Sequence, residues 1–358
     1  MNVIETPHRP ERIIVVILNW NGRDDTLACL ESLRAVKYPN WEVLVVDNGS
    51  EDDSVEAIRK SYPDVSVIET GNNLGYAGGN NLGIRAALER GAEYILVLNN
   101  DTTVAPDLLL AFAETAREHP DAAVLGAKIY LFEDPQRLWY AGARWKVKGA
   151  EFEQIGYRML DNGEDFVRVC DTEYASGCAM LLRASAVRAV GLLDEKFFLL
   201  FEEADWCFRA KAAGFRCLFV PAAKVWHRVS SSFGGRTSVI YEYFLFRNRL
   251  LWADRHLSLR LRVAVWMNTL GILFPLLRVI GPLWHFLCGR CGLRQAYWES
   301  KSEAVQWLHG FREPRSPRML VNRARWRGLR DYLIRRSGDC PEWIRTAGRQ
   351  SGPGRTVR

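Results

Sequence analysis

The chain has 358 residues, 48% hydrophobic and 25% charged, which is ordinary for a folded soluble protein with a sizeable core and room for two structural units. Its net charge of +6 is unevenly placed: from Arg312 to Arg358 thirteen arginines and no lysine face only Glu313, Asp331, Asp339 and Glu342, an excess of nine, so the remainder is slightly acidic. No nucleic-acid motif accompanies the arginines, which points them to an anionic lipid surface and excludes nucleic acid as a partner. The eight cysteines are scattered singly apart from Cys288 and Cys291, a lone pair too weak to indicate zinc, and the expected state is reduced thiols. The opening "MNVIETPHRPERIIVVILNWNG" has no basic start and no cleavage site, so no signal peptide is expected.

Residues 1–11 read as an N-terminal extension. Strand and helix then alternate. Ile13 to Leu18 reads as a strand, and Asp24 to Leu33 as a helix with Thr26, Leu27, Leu30 and Leu33 at helical spacing. Trp41 to Val46 is the second strand, Ser54 to Ser61 a helix, and Val65 to Glu69 the third strand. Gly79 to Arg90 is a helix and Tyr94 to Leu98 the fourth strand. This alternation predicts an α/β fold, a mainly parallel sheet with helices on both faces. Three of these strands end on polar clusters: Asn19-Trp20-Asn21, Asp47-Asn48-Gly49-Ser50 and Asn99-Asn100-Asp101. In open α/β sheets ligands bind beyond the carboxyl ends of the strands, so three such ends mark a site.

"LVLNNDTTV" leaves two readings for its amides and carboxylate. One is an Asx-turn opening a helix at Pro106. The other is a cation site in which Asp101 ligates Mg²⁺ or Mn²⁺ and Asn99 supports it with a hydrogen bond. Further on, "FFLLFEEADWCFRA" crowds Glu202, Glu203 and Asp205 ahead of a helix. Acidic residues are favoured in a first turn, yet three within four positions exceed what a cap needs, and crowded carboxylates can supply a general base. "PAAKVWHRVSSSFGG" reads as a strand end that carries His227 into the loop Ser230 to Gly235.

After residue 230 the texture changes. "YEYFLFRNRLLWADRH" mixes aromatics with arginines, and Leu261 to Leu287 is strongly apolar but interrupted by Arg262, Asn268, Pro275, Arg278, Pro282 and His285. A spanning helix wants about 20 predominantly apolar residues, so a helix pair lying in the membrane interface, or packed on the main domain, fits this stretch better. Residues 337–358, rich in Gly, Ser and Arg, read as a basic disordered tail.

"VVILNWNGRDDTLACLESL", "VLVVDNGSEDDSVEAI", "NNLGYAGGNNLGI" and "LVLNNDTTV" resemble, in order, the motifs of family 2 glycosyltransferases with the GT-A fold. "FEEADWCFRA" and "VWHRVSSSFG" resemble that family's acidic and C-terminal His motifs. The resemblance runs over about residues 12 to 250 and is nearest to the rhamnosyltransferase-like bacterial branch. It implies a glycosyltransferase domain over 12–250, a helical, membrane-interfacial region over 251–336 and the tail beyond.

For the site, the resemblance implies that Asn19 and Asn21 border the nucleotide and that Asp47 bonds the base or ribose. Asn73, Gly75, Gly78, Gly79 and Asn80 would form a loop against nucleoside and diphosphate. Asn99, in place of the first Asp of the usual D-x-D, would stand with Asn100 beside Asp101, which holds the metal with His227. Glu203, where the family usually has Asp, would be the catalytic base, with Asp205 at the usual offset. The implied reaction is inverting transfer from a dTDP- or UDP-sugar to a lipid-linked or glycan acceptor, on the cytoplasmic face of a bacterial membrane. A non-catalytic nucleotide-sugar binder on the same fold is the alternative. A dehydrogenase would need a GxGxxG opening the first helix and a nucleotidyltransferase a basic Gly-rich loop; "LNWNGRDD" supplies neither.

Overall fold

A computed structural model describes residues 9–146, 151–228, 238–273 and 317–350. The chain divides into two compact units. The first takes residues 1–143, 154–194 and 206–229 and carries the large sheet. Its elements run β1 (Ile13–Asn19), α1 (Arg23–Leu33), β2 (Trp41–Asp47), α2 (Ser54–Ser61), β3 (Ser66–Glu69), α3 (Gly75–Glu89), β4 (Tyr94–Asn99), β5 (Thr102–Val104), α4 (Leu108–Glu118), β6 (Ala122–Leu131) and β7 (Leu138–Tyr140). The short hairpin β8 (Ala143–Lys146) and β9 (Glu151–Gln154) intervenes, and β10 (Cys170–Asp171), β11 (Ala179–Arg183), α5 (Ala184–Val190), α6 (Glu202–Ala212), whose residues 202–205 group with the second unit, and β12 (Arg216–His227) follow.

The sheet order is β10-β12-β6-β11-β4-β1-β2-β3, with β5 added on β12 and β7 on β6. The expected parallel arrangement holds for β3, β2, β1 and β4. Beyond β4 the sheet is mixed: β11 runs antiparallel to both β4 and β6, while β12 is parallel to β6. β11 enters by a long excursion rather than a helical crossover, so no βαβ chirality fixes its direction.

Residues of β1 are buried on both faces, as a central strand requires. Ile13, Val15 and Ile17 pack with Leu30 and Leu33 of α1, Ile58 of α2 and Phe112 of α4. Ile14 and Val16 pack with Ile84 of α3, Val187 of α5 and Trp206 of α6. Helices therefore cover both faces, and α3 begins four residues earlier than the expected Gly79, at Gly75.

The second unit takes residues 144–153, 195–205 and 230–358. It contains α7 (Val239–His256), α8 (Leu259–Leu273), α9 (Pro317–Leu333) and α10 (Glu342–Gln350). Ser238 caps α7 by accepting from the Tyr241 amide at 3.1 Å. Arg325 of α9 makes a forked pair with Glu242 of α7 at 3.0 and 2.9 Å, and Tyr243 donates to Asp331 at 2.8 Å. A Cβ on Gly328 would stand 2.5 Å from the Tyr243 carbonyl, so the α7–α9 crossing needs glycine there.

Two expectations are corrected. The chain does not divide at 250: α7 belongs with residues 195–205 and the C-terminal helices, because its Tyr243 and Phe244 share a core with Ala324, Cys340 and Ile344. Nor is 337–350 disordered, because Ile344, Trp343 and Ala347 give α10 an apolar face that packs in that core. The apolar stretch 261–287 is described only to Leu273, within α8, and its remainder, Cys288, Cys291 and the loop Ser230 to Gly235 lie outside the described residues, as do residues 1–8 of the expected extension. Among the described residues no helix is long and apolar enough to cross a membrane.

Candidate active site

The parallel register aligns Asn19 with Asp47 and Leu18 with Asn99, so the three polar strand ends meet at one edge. Their side chains form a connected network. Asn19 donates to Asp47 at 2.7 Å and to Ser50 at 3.1 Å, and accepts from Thr26 at 2.8 Å. Asp47 also accepts from the Ser50 hydroxyl at 2.6 Å and its amide at 2.9 Å. Asn100 reaches across from β4 to Thr26 at 3.0 Å and Asn19 at 3.3 Å. A Cβ on Gly22 would stand 2.4 Å from the Asn100 amide nitrogen, so only glycine admits that approach. Asn21 takes φ 52°, which Asn tolerates better than most residues, and accepts from the Glu51 amide at 2.7 Å. Asn19 and Asp47 are buried and build the floor of the edge.

Asp101 lies in the turn between β4 and β5, and α4 begins at Leu108, two residues beyond the expected Pro106. β5 pairs antiparallel with the end of β12, placing Thr102 opposite His227. Nε2 of His227 then lies 3.1 Å from Oδ1 of Asp101, with both side chains under 10% exposed. Burial pushes His227 toward the neutral form, but the adjoining Cys178 thiol and Asp101 carboxylate outweigh it and raise His227 well above the ordinary imidazole range. Trp139 meets the His227 ring edge-on at 4.9 Å.

The glycine-rich segment is partly corrected. Asn73 and Gly75 stand at the mouth of α3, where Asn73 accepts from the Gly75 amide at 2.8 Å and from Asn48 at 3.1 Å. Gly78, Gly79 and Asn80 are not a loop; they are buried inside α3. A Cβ on Gly79 would come within 2.4 Å of Leu18, and one on Gly83 within 2.2 Å of Val16. These glycines let α3 pack against β1.

In the second unit, Glu202, Glu203 and Asp205 open α6 and have different environments. Burial, and the neighbouring Glu203 and Asp205, push Glu202 well above the usual carboxylate range. Burial pushes Glu203 up to about 6 against the opposing pull of backbone amides. Oε2 of each is buried with no hydrogen-bond partner among the described residues. Asp205 is different: fully buried, it accepts from Arg255 at 2.6 Å and pairs with His256 at 2.8 Å. Asp205 is thus held by both partners, unlike the Oε2 atoms of Glu202 and Glu203.

The glycosyl transferase family 2 model matches residues 14–191. An N-acetylglucosaminyl-diphospho-decaprenol L-rhamnosyltransferase of Mycobacterium tuberculosis is 31% identical over 251 residues, which span 63% of this chain and 79% of that one. The chain belongs to family 2 of the glycosyltransferases. Solved structures agree on the fold. A mannosyltransferase from Pyrobaculum calidifontis, solved with GDP-Man and Mn²⁺, superposes with a TM-score of 0.54 at 15% identity, over 92% of this chain and 89% of that one. GalNAc-T7, solved with UDP, GalNAc and Mn²⁺, gives 0.55 at 14% identity, over 83% and 57%.

Whether this glycosyltransferase's residues fit a divalent ion is a question of donor chemistry. Asp101 and His227 converge as one carboxylate oxygen and one imidazole nitrogen, and no group of three or more His, Cys, Asp and Glu gathers among the described residues. Two protein donors suit Mg²⁺ or Mn²⁺ that completes its shell with diphosphate oxygens and water. The pair fits, provided His227 gives up its proton. Thr26 and Cys178 were not singled out as site residues from the sequence. Ser50 and Asn48 were visible in the polar cluster after β2, whereas Thr26 was hidden by its helical spacing.

Proposed function

We propose that this glycosyltransferase moves a sugar, with inversion at the anomeric carbon, from a nucleotide-diphosphate donor to a hydroxyl of a lipid-linked or cell-envelope glycan. The observation that carries the reading is the Asp101–His227 pair, set beside the Asn19–Asp47–Asn100 network at the carboxyl edge of the sheet. In this reading Asn19, Asn21, Asp47, Asn73 and Gly75 border the nucleoside and diphosphate, and Asn99 and Asn100 shape the turn. Gly78, Gly79 and Asn80 support the segment from within α3. Asp101 and His227 would hold Mg²⁺ or Mn²⁺, which when bound supplies Lewis-acid neutralisation of the departing diphosphate.

Glu203 takes the proton of the acceptor hydroxyl as that oxygen bonds to the anomeric carbon and the bond to the diphosphate breaks. A base pushed up to about 6 is still mostly ionised at neutral pH and more basic than an ordinary carboxylate. Asp205 holds the turn that presents Glu203. The name of the mycobacterial relative, with its decaprenol-linked acceptor and rhamnose, supports a polyprenyl-diphosphate acceptor and rhamnose as the foremost sugar; the donor is read as a dTDP- or UDP-sugar. Such an acceptor places the enzyme peripherally on the inner face of a bacterial membrane.

The test is a thermal-shift panel of dTDP-rhamnose, UDP-GlcNAc, UDP-galactose, UDP-glucose and GDP-mannose with and without Mn²⁺, followed by turnover of whichever donor binds. A ligand that binds only the native state adds about 2.7 kcal/mol of apparent stability at a hundredfold excess over Kd. Metal-dependent stabilisation with turnover is expected; binding without turnover on a polyprenyl-diphosphate acceptor would make the protein a non-catalytic binder.

A further inference from the structure

The segment that leads into Glu203 is built against the preferences of its residues. Phe198, Leu200 and Phe201 have φ of 63°, 68° and 76°. Bulky L side chains rarely adopt this left-handed region, and the conformation persists only where the surroundings over-determine it. Those surroundings are α7. Nδ2 of Asn248 donates to the carbonyls of Phe197 at 2.9 Å, Leu199 at 2.7 Å and Leu200 at 2.8 Å. Nη2 of Arg247 donates to the carbonyls of Phe197 at 2.8 Å and Lys196 at 3.2 Å. Arg247 Nε also donates to Asn248 Oδ1 at 2.9 Å, which fixes the amide with its nitrogen toward the loop. Both side chains are buried, at 1% and 0% exposure.

The grip continues on the far side of Glu203. The Asp205 amide donates to the Phe201 carbonyl at 2.8 Å, and the Asp205 carboxylate is held by Arg255 and His256, two turns further along the same helix. Arg247 also reaches the segment between α9 and α10, donating to the Gly338 carbonyl, while the Gly338 amide donates to the Lys196 carbonyl at 3.3 Å.

We infer that Arg247 and Asn248 are positioning residues for sugar transfer: by holding the carbonyls of residues 196–200 they set the aim of Glu203. This rests on Glu203 being the base. Neither residue is required to touch a reacting group; both act through the backbone that carries it. A residue that only stabilised the fold would change melting alone, whereas one that aims a base changes turnover in protein that is still folded.

The experiment uses the full chain in four variants, Asn248→Ala, Arg247→Lys, Glu203→Gln and Ile344→Val, with transfer followed as a function of pH and donor concentration. Ile344 lies in the core of the second unit against which Phe198, Leu199 and Leu200 also pack, but its side chain donates no hydrogen bond to the loop's carbonyls, so it serves as the control for lost packing alone. Asn248→Ala should lose about 10²-fold in kcat, the scale of a misplaced catalytic group, with donor KM unchanged. The ascending limb of its pH profile should move to lower pH as water reaches Glu203. Arg247→Lys should shift both quantities in the same direction and by less. Ile344→Val should melt earlier with kcat and pH limb intact. Folded Asn248→Ala with wild-type kcat and limb overturns the proposal, as does a loss no larger than that of the Ile344 control at equal loss of melting temperature. If Asn248→Ala does not fold, the same two readings on Arg247→Lys decide. Wild-type transfer by Glu203→Gln would remove the base assignment itself, whereas an impaired Glu203→Gln beside an intact Asn248→Ala would remove only the positioning role.

Discussion

Nε2 of His227 lies 3.1 Å from Oδ1 of Asp101 because β5 and β12 pair antiparallel across the end of the sheet. Against the opposing effect of burial, Cys178 and the Asp101 carboxylate raise His227 well above the ordinary imidazole range. A cation at the same place needs a neutral imidazole, so proton and metal compete for one nitrogen.

That competition has two measurable consequences. The folded state holds the His227 proton more tightly than the unfolded chain, whose imidazole titrates at 6.5. The pair's contribution to stability is therefore complete below about pH 6.5 and is lost as pH rises through the raised folded value. Asp101→Asn should lower stability by about 1–3 kcal/mol at pH 6 and less at high pH. Urea denaturation from pH 5 to 9 checks this, and parallel curves for wild type and variant would show that the pair is not ionised. Calorimetric titration with Mn²⁺ and nucleoside diphosphate should show proton release in wild type and no metal dependence in Asp101→Ala.

Glu203→Gln should retain donor binding while transfer falls by about 10²-fold or more. Wild-type transfer should rise with pH through about 6, where burial places the Glu203 carboxyl, because the base works only when ionised. The variant should lack this limb. An unchanged limb in the variant would assign it to another group.

Asp205→Asn should act mainly on the fold. Its carboxylate is fully buried against Arg255 and His256, and removing one partner of a buried pair leaves an uncompensated charge. A loss of about 3 kcal/mol is expected, with residual transfer tracking the folded fraction. Transfer abolished in protein that melts like wild type would give Asp205 a direct catalytic part instead.

The parallel half of the fold was legible because strictly local signals specify it: apolar runs from Ile13 to Leu18 and Tyr94 to Leu98, helical spacing between them, and polar residues at each strand end. The meeting of the polar strand ends at one edge was legible for the same reason, since the register of adjacent parallel strands follows from where their apolar runs stop. What could not be read was pairing at long range. Nothing near Asp205 in sequence announces Arg255, and nothing near Thr102 announces His227; both meetings follow from how distant segments pack. Gly79 shows the other failure, where a glycine read as a ligand loop is required by Leu18 beneath it. Motif resemblance marks which glycines recur and does not say which neighbour demands them.

Gly83 separates packing from ligand contact. An added Cβ would stand 2.2 Å from Val16 and 3.0 Å from Val46, both in the central strands. Gly83→Ala should destabilise by about 1–3 kcal/mol through overpacking, with donor affinity unaltered in the protein that folds. A neutral melting temperature would mean that α3 can shift away from the sheet without cost.

The membrane proposal can be argued from particular side chains. Leu259 and Val263 of α8 are 74% and 49% exposed. Four residues apart, they share one face of the helix, at the start of the apolar stretch that continues to residue 287. Stable attachment generally takes two signals, and the second is the arginine excess of residues 312–358. Each arginine near an anionic surface adds about 1 kcal/mol within a Debye length. Several of them, such as Arg325 and Arg327, already serve Glu242 and Asp331, but only a few of the others need to reach the lipid. The full chain should float with vesicles containing anionic lipid, less with zwitterionic ones, and less again at high salt. The double change Leu259→Glu, Val263→Glu should weaken flotation at every salt concentration without lowering the melting temperature, because both side chains already face solvent. A full chain that stays at the bottom of the gradient with anionic vesicles at low salt rules the attachment out, and flotation untouched by the double change moves the apolar contact away from this face of α8.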